Sequence, residues 1–276
     1  SCRKKDGKDY AFSTDTEIYI YNIQSGECVQ VPMGGGYDTA PVWSPDGSKI
    51  CWISMERDGY EADKQRLMVA EIDGMKVGTI RELSAGFKYN VAEPVWDEDS
   101  QHIWFNALTE GLQALYVTDL KGNITRKTDE KLWYDFTTPF FIDRVDGREI
   151  LYTTWQSMDF PTEIVAFNTA TQTGTKVTDE NGHILSQLKE HRTEARMVKT
   201  VDGKDMLTWV LYPPEFDQSK EWPAIEICLG GPQGTLSQGW SYRWNYRLMC
   251  SQGYVVVLPN RRGSTAVWQN DDIALR

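Results

Sequence analysis

The feature that most restricts the fold is a proline–aromatic segment that returns at intervals. Ala40-Pro41-Val42-Trp43-Ser44-Pro45-Asp46-Gly47, leading to Lys49-Ile50-Cys51-Trp52, recurs as Glu93-Pro94-Val95-Trp96-Asp97-Glu98-Asp99-Ser100, leading to His102-Ile103-Trp104-Phe105. A third copy runs from Thr138-Pro139-Phe140-Phe141 through Asp146-Gly147 to Glu149-Ile150-Leu151-Tyr152. The prolines lie 53 and 45 residues apart, a period that suits the blades of a β-propeller rather than shorter solenoid units.

A second element alternates with the first: Glu17 to Asn22, Arg66 to Gly74, Ala114 to Asp119 and Glu163 to Asn168, each ending in a polar turn. Read together, proline and tryptophan open a strand, an Asp-Gly turn reverses the chain, and the later strand runs back beside it. About three to four blades of a partial propeller are expected over residues 1–181. A propeller closes only when its first and last blades meet, so the count implies further blades on the N-terminal side. The chain opens at Ser1 with neither an initiator Met nor a basic-then-apolar leader, and it reads as an internal piece. The repeat aromatics are expected to pack blade on blade. The charged insertion Met55 to Lys64 reads either as a solvated hairpin tip or as a loop that reaches substrate, with Tyr60 and Glu61 as its candidate contacts.

After Asn181-Gly182 the pattern changes. Residues 182–195 read as a linker, and residues 196–276 as the start of an α/β domain. Glu194 to Lys199 and Met206 to Tyr212 alternate as strands around Asp202-Gly203, and Pro213-Pro214 stops the pairing. Pro223 to Leu229 reads as a buried strand entering Gly230-Gly231-Pro232. Trp240, Trp244 and Leu248, four apart, predict one face of a helix between Leu236 and Gln252, with Gly253 at its C′ position. Tyr254 to Leu258 is then a second buried strand.

Composition excludes several partners. Against 40 acidic residues stand 29 Lys and Arg, a net charge of −11, which repels nucleic acid. No apolar run approaches the 18 residues of a membrane span. The five cysteines lack metal-ligand spacing, so neither a metal site nor a cofactor is expected, and they read as buried thiols. A homodimer is compatible with the sequence.

A glycine turn after a strand can offer backbone N–H groups to a developing oxyanion. No nucleophile accompanies it here. Gly239-Trp240-Ser241-Tyr242-Arg243 imitates a nucleophile elbow, yet Arg243 stands where a small residue must let helix and strand approach. His102, His183 and His191 have no Ser and Asp in a suitable order around them.

The chain resembles the prolyl oligopeptidase family of serine peptidases, on its bacterial dipeptidyl-peptidase and acylaminoacyl-peptidase side. The resemblance is carried by Gly230 to Gly234, by Gly253 to Ser264 with its Pro259-Asn260-Arg261-Arg262-Gly263-Ser264 end, by Trp43 to Gly47 and by Gly59 to Asp63. It implies a propeller capping an α/β-hydrolase domain, release of dipeptides from peptide N-termini by acyl transfer to a serine beyond Arg276, and a periplasmic or secreted location. It also implies that the Gly231 N–H contributes to the oxyanion hole and that Arg262 can meet a substrate carbonyl or carboxylate. Relatives with His or Tyr before this turn have an extra donor, whereas Leu229 offers none. Arg261 and Arg262 can alternatively brace the loop. The competing reading is a propeller module that binds a peptide or protein and performs no chemistry.

Overall fold

The computed structural model of the protein describes residues 2–4, 7–33, 35–60, 62–231 and 234–264. Their contacts divide the chain into two compact units. One comprises the residues up to Ala107 with Leu115–Lys127 and Thr138–Phe140; the other comprises Leu108–Ala114, Thr128–Thr137 and the chain from Phe141 onward.

In the first unit the opening copy of the repeat folds as an antiparallel meander of strands Tyr37–Trp43, Lys49–Met55 and Arg66–Asp73, edged by Lys76–Val77 and Arg81–Glu82. Strand Thr16–Tyr21 pairs with Cys28–Gln30 and joins this meander through one parallel bridge, Thr16 to Tyr37. The apolar faces meet in a core of Ile18, Ile20, Val31, Ile50, Trp52, Met68 and Ala70. The second copy forms a four-stranded sheet, Ile124–Arg126, Leu112–Asp119, His102–Thr109 and Ala92–Trp96 in spatial order.

The repeated turn has a physical basis that both copies share. The Ser44 N–H donates to the Lys49 carbonyl, and Gly47 takes the left-handed φ of 71° that the reversal requires. The Asp46 carboxylate accepts from the Ser48 N–H and from the hydroxyls of Ser44 and Ser48, which holds it well below the ordinary carboxylate range. In the second copy Ser100 takes the left-handed position, at φ 55°, and its hydroxyl accepts the Asp46 N–H at 3.1 Å. Buried tryptophans in both copies are satisfied: Trp52 donates to Asp38 and Trp104 to Asp97. Trp96 packs against the first copy and donates to the Val42 carbonyl at 3.0 Å. Trp43 departs from the expected packing and is 45% exposed.

The third copy, in the second unit, is a five-stranded antiparallel sheet built on Arg148–Ser157 and Phe160–Asn168. Strands Phe141–Val145 and Arg148–Ser157 are joined by Asp146-Gly147, both at positive φ. Phe136 packs against both Trp155 and Phe167 on this sheet.

The final sheet has the order Arg192–Lys199, Asp205–Tyr212, Val255–Pro259, Ala224–Glu226. Its first three strands are antiparallel, and Ala224–Glu226 runs parallel to Val255–Pro259. The parallel pair is connected through helix Tyr246–Ser251. Strand Ala224–Glu226 is shorter than the expected Pro223 to Leu229 and mostly exposed rather than buried, lying at the edge of the sheet among the described residues. The helix is also shorter than the expected Leu236 to Gln252. The Ser241 hydroxyl accepts the Trp244 N–H at 2.9 Å and the Asn245 side chain accepts the Leu248 N–H at 2.8 Å, so local turns occupy the donors that an earlier helical start would use. Trp244 and Leu248 are consequently exposed rather than set on a buried face. Gly253 follows the helix at φ 89°, as its C′ position requires.

The core under the final sheet combines Leu207, Trp209, Leu211, Leu236, Cys250, Val256 and Leu258 with Leu112 and Met158, which come from hairpins of the second and third copies. Trp133 adds an edge-to-face contact on Trp209 at 5.2 Å. Gly111, at φ 78°, sits so close to Leu207 that a β-carbon there would collide with it.

Candidate active site

The chain leaves the edge strand Ala224–Glu226 into Leu229-Gly230-Gly231, and both glycines are exposed. Leu229, at the entrance to the turn, and Leu236, beyond it, are held by consecutive residues following strand Val255–Pro259. At the near end the Arg261 guanidinium donates from Nε and Nη2 to the Leu229 carbonyl, at 3.2 and 3.0 Å. At the far end the buried Asn260 amide accepts the Leu236 N–H at 2.7 Å and donates to the Leu236 carbonyl at 2.9 Å. The Trp209 indole donates to that same carbonyl at 3.0 Å. Between them, Gly234 approaches so closely that a β-carbon would press on the Leu229 side chain at 2.9 Å and on the Gly230 carbonyl at 3.1 Å. A loop braced in this way can keep a backbone N–H aimed at one point, which a tetrahedral oxyanion requires.

Beyond the loop, Asp135 is buried and accepts from the Gln113 N–H at 2.9 Å, the Ser237 hydroxyl at 2.6 Å and the Gln238 N–H. Desolvation pushes its pKa up, and these hydrogen bonds oppose the shift. Across the strand ladder from Asp135 stands Gln156, whose side-chain oxygen accepts the Trp240 N–H at 3.2 Å.

One constellation imitates a relay. His191 is buried, with Nε2 at 2.9 Å from Asp159 Oδ1 and 3.4 Å from Thr193 Oγ1. Both oxygens address the same ring nitrogen, whereas a relay needs the acid on one nitrogen and the hydroxyl on the other. Ser241 spends its hydroxyl on a turn, and His102 Nδ1 pairs with Asp99 three residues away. An open cleft of about 600 Å³ between Leu185, Leu188, Pro213, Trp240 and Leu248 includes none of Leu229, Gly230 or Gly231 in its lining. Among the described residues no cluster of side chains could hold a metal ion.

No protein-family profile matches the chain. It is 43% identical over 264 residues to dipeptidyl-peptidase 5 of Porphyromonas gingivalis, covering 95% of this chain and 37% of that protein. This similarity supports assigning the chain to the prolyl oligopeptidase family of serine peptidases. Dipeptidyl-peptidase 5 of Porphyromonas endodontalis is a second relative, 43% identical over 266 residues with the same coverage. Among solved structures, the acylaminoacyl peptidase of Pyrococcus horikoshii shares the fold, with a TM-score of 0.68 and 22% identity over 92% of this chain and 36% of that one. The chain thus spans a little over a third of the length (37%) of the curated relatives it matches.

Of the site residues nominated from the sequence, Gly231 lies in the turn after Leu229. Arg262 has its guanidinium on Asp202, which also accepts the Thr200 hydroxyl, so Arg262 ties the loop to the hairpin between the first two strands of the sheet. Tyr60 belongs to the first unit, where it is half-exposed beneath the Arg57 guanidinium at 4.0 Å, with Arg57 itself paired to Asp63. Glu61 lies outside the described residues, as do Pro232, Gln233 and Ala266 to Arg276. Asn260 and Asp135 were not singled out by the sequence. The run Pro259-Asn260-Arg261-Arg262 after an apolar strand held the signal for Asn260, whereas nothing local distinguishes Asp135.

Proposed function

We propose that this chain supplies part of the propeller, over residues 1–181, and the oxyanion side of the α/β-hydrolase domain, over residues 196–276, of a serine peptidase that releases dipeptides from peptide N-termini. Residues 182–195 connect the two. The observation that supports the reading is that residues flanking Gly230-Gly231 are held at Leu229 by Arg261 and at Leu236 by Asn260, in a chain 43% identical to a dipeptidyl-peptidase 5.

In the proposed reaction a serine hydroxyl outside these residues attacks the scissile carbonyl. The Gly231 N–H meets the charge that develops on the carbonyl oxygen, the amine of the shortened peptide departs, and water releases the dipeptide from the acyl-serine. Peptides are the substrates. Tyr60 and Glu61 are the propeller's candidate contacts to them, and Arg262 becomes a contact only where substrate displaces it from Asp202. The protein works in the periplasm or outside the cell; among the described residues no helix is long and apolar enough to cross a membrane.

The test is fluorophosphonate labelling together with mass spectrometry of peptide digests. The full-length protein is expected to label on one serine and to release dipeptides from free N-termini, and the 276-residue chain alone is expected to stay unlabelled. Labelling of the short chain would place the nucleophile within it. Release of single residues or internal fragments by the full-length protein would overturn the dipeptidyl assignment.

A further inference from the structure

The buried carboxylate of Asp135 has no part in the chemistry proposed above, yet it is the end of a fourth tether on the glycine loop. Asp135 and Gln156 are direct partners in the antiparallel ladder between Asp135–Phe136 and Arg148–Ser157, so their side chains leave the sheet on the same face. Both reach the stretch from Ser237 to Trp240. Asp135 takes the Ser237 hydroxyl at 2.6 Å and the Gln238 N–H; Gln156 takes the Trp240 N–H at 3.2 Å. Gly239 fits between them, where a β-carbon would stand 3.6 Å from Asp135 Oδ2 and 3.9 Å from Gln156 Nε2. Asp135 is in turn fixed by the Gln113 N–H at 2.9 Å.

Ser237 follows directly on Leu236, the residue gripped by Asn260 and Trp209. The loop from Leu229 to Trp240 is therefore held at Leu229, at Leu236 and again over Ser237 to Trp240, the last by a sheet that belongs to the repeat region. We infer that Asp135, assisted by Gln156, is a positioning residue for acyl transfer: it fixes the distal end of the loop whose proximal end presents the Gly231 N–H. The inference rests on the proposed peptidase reading. Asp135 touches no reacting atom; it governs how well the loop keeps its shape. The carboxyl group matters because its two oxygens take three donors at once, and an amide in its place turns an N–H toward one of them.

The test uses the full-length protein with dipeptidyl coumarin amides, comparing wild type with Asp135→Asn and Ser237→Ala, alongside hydrogen exchange of the peptide covering residues 234–240. Misplacing a reacting group by about 1 Å costs about a hundredfold in rate. Asp135→Asn is therefore expected to lower kcat by about 10- to 100-fold with KM changed by less than about threefold, and to speed exchange over 234–240. Ser237→Ala, which removes one donor and leaves the carboxylate in place, is expected to move both readouts in the same direction by less. It serves as the test if Asp135→Asn does not fold. Wild-type kcat in a folded Asp135→Asn protein, or a lowered kcat with unchanged exchange over 234–240, overturns the inference. If the wild-type protein turns over none of the amides, the peptidase reading fails instead, and unchanged exchange in both variants would then sink the clamp as well.

Discussion

Replacing Asn260 by alanine should loosen the glycine loop by an amount that its geometry sets. The Asn260 amide is buried and makes both an acceptor and a donor contact to the Leu236 peptide, at 2.7 and 2.9 Å. Alanine removes both, with unequal consequences. The Leu236 carbonyl keeps the Trp209 indole at 3.0 Å, so its loss is the modest one of a shared hydrogen bond. The Leu236 N–H loses this acceptor inside the protein, and stranding a buried donor costs about 1–3 kcal/mol. With the lost carbonyl contact the expected destabilisation is about 2–3 kcal/mol. For a urea slope of about 2 kcal/mol/M, this moves the unfolding midpoint down by about 1 M. The assay is urea denaturation followed by far-ultraviolet circular dichroism. Asn260→Asp separates the two contacts. Its carboxylate can still accept from Leu236 but has no donor for the carbonyl, so it is expected to be destabilised at neutral pH. Once protonated it donates again, and burial raises its folded-state pKa. Its deficit should therefore grow as pH rises from about 4, the unfolded-state value, through the raised folded-state pKa, and should be smallest and constant below about 4. A midpoint for Asn260→Ala within about 0.2 M of wild type, or a deficit in Asn260→Asp independent of pH, would refute this account of the loop.

Two further outcomes follow from burial and backbone geometry. Burial pushes the Cys51 and Cys250 thiols up to about 12, while Cys28 and Cys228 are exposed; in a Cys2→Ser background, Ellman's reagent at pH 8 should react rapidly with two thiols in the native protein and with four after denaturation. Gly36→Ala should be far more damaging than Gly47→Ala. A β-carbon at Gly36 runs into the Met55 backbone carbonyl, whereas Gly47 has open space and only its positive φ of 71° to lose, a cost of about 1 kcal/mol; equal melting temperatures for the two variants would contradict this.

Much of the local structure was legible because it is written in short-range chemistry. The turns at Asp46-Gly47 and Asp146-Gly147 follow from the glycine requirement at positive φ, and Gly253 marked the end of its helix for the same reason. The helix start was misread. Spacing of Trp240, Trp244 and Leu248 suggested a helical face, but Ser241 and Asn245 side chains intercept the backbone donors first. Trp43 and Trp96 look alike in sequence yet differ in exposure, because Trp96 reaches the Val42 carbonyl 54 residues away, a contact the local motif does not encode. In the candidate site, the glycine turn and the arginines after the second strand were visible as motifs. The run around Asn260 was visible as a motif but not its partner Leu236, and the grip of Asp135 on Ser237 from 102 residues away depends on long-range packing, for which a single sequence holds no local signal.

The core that unites Leu112 and Met158 with Trp209 and Leu258 bears on how such a protein can be cut and recombined. A gene boundary placed near residue 182 looks natural by composition, yet a product beginning there would leave its sheet without two of the side chains that keep water from it. The two hairpins that lend those side chains behave as property of the downstream sheet. Grafting that sheet onto a different repeat region would therefore mean carrying the hairpin tips along or rebuilding their apolar contacts, and exchange between relatives in this family should favour breakpoints that leave these tips and the sheet in the same parent.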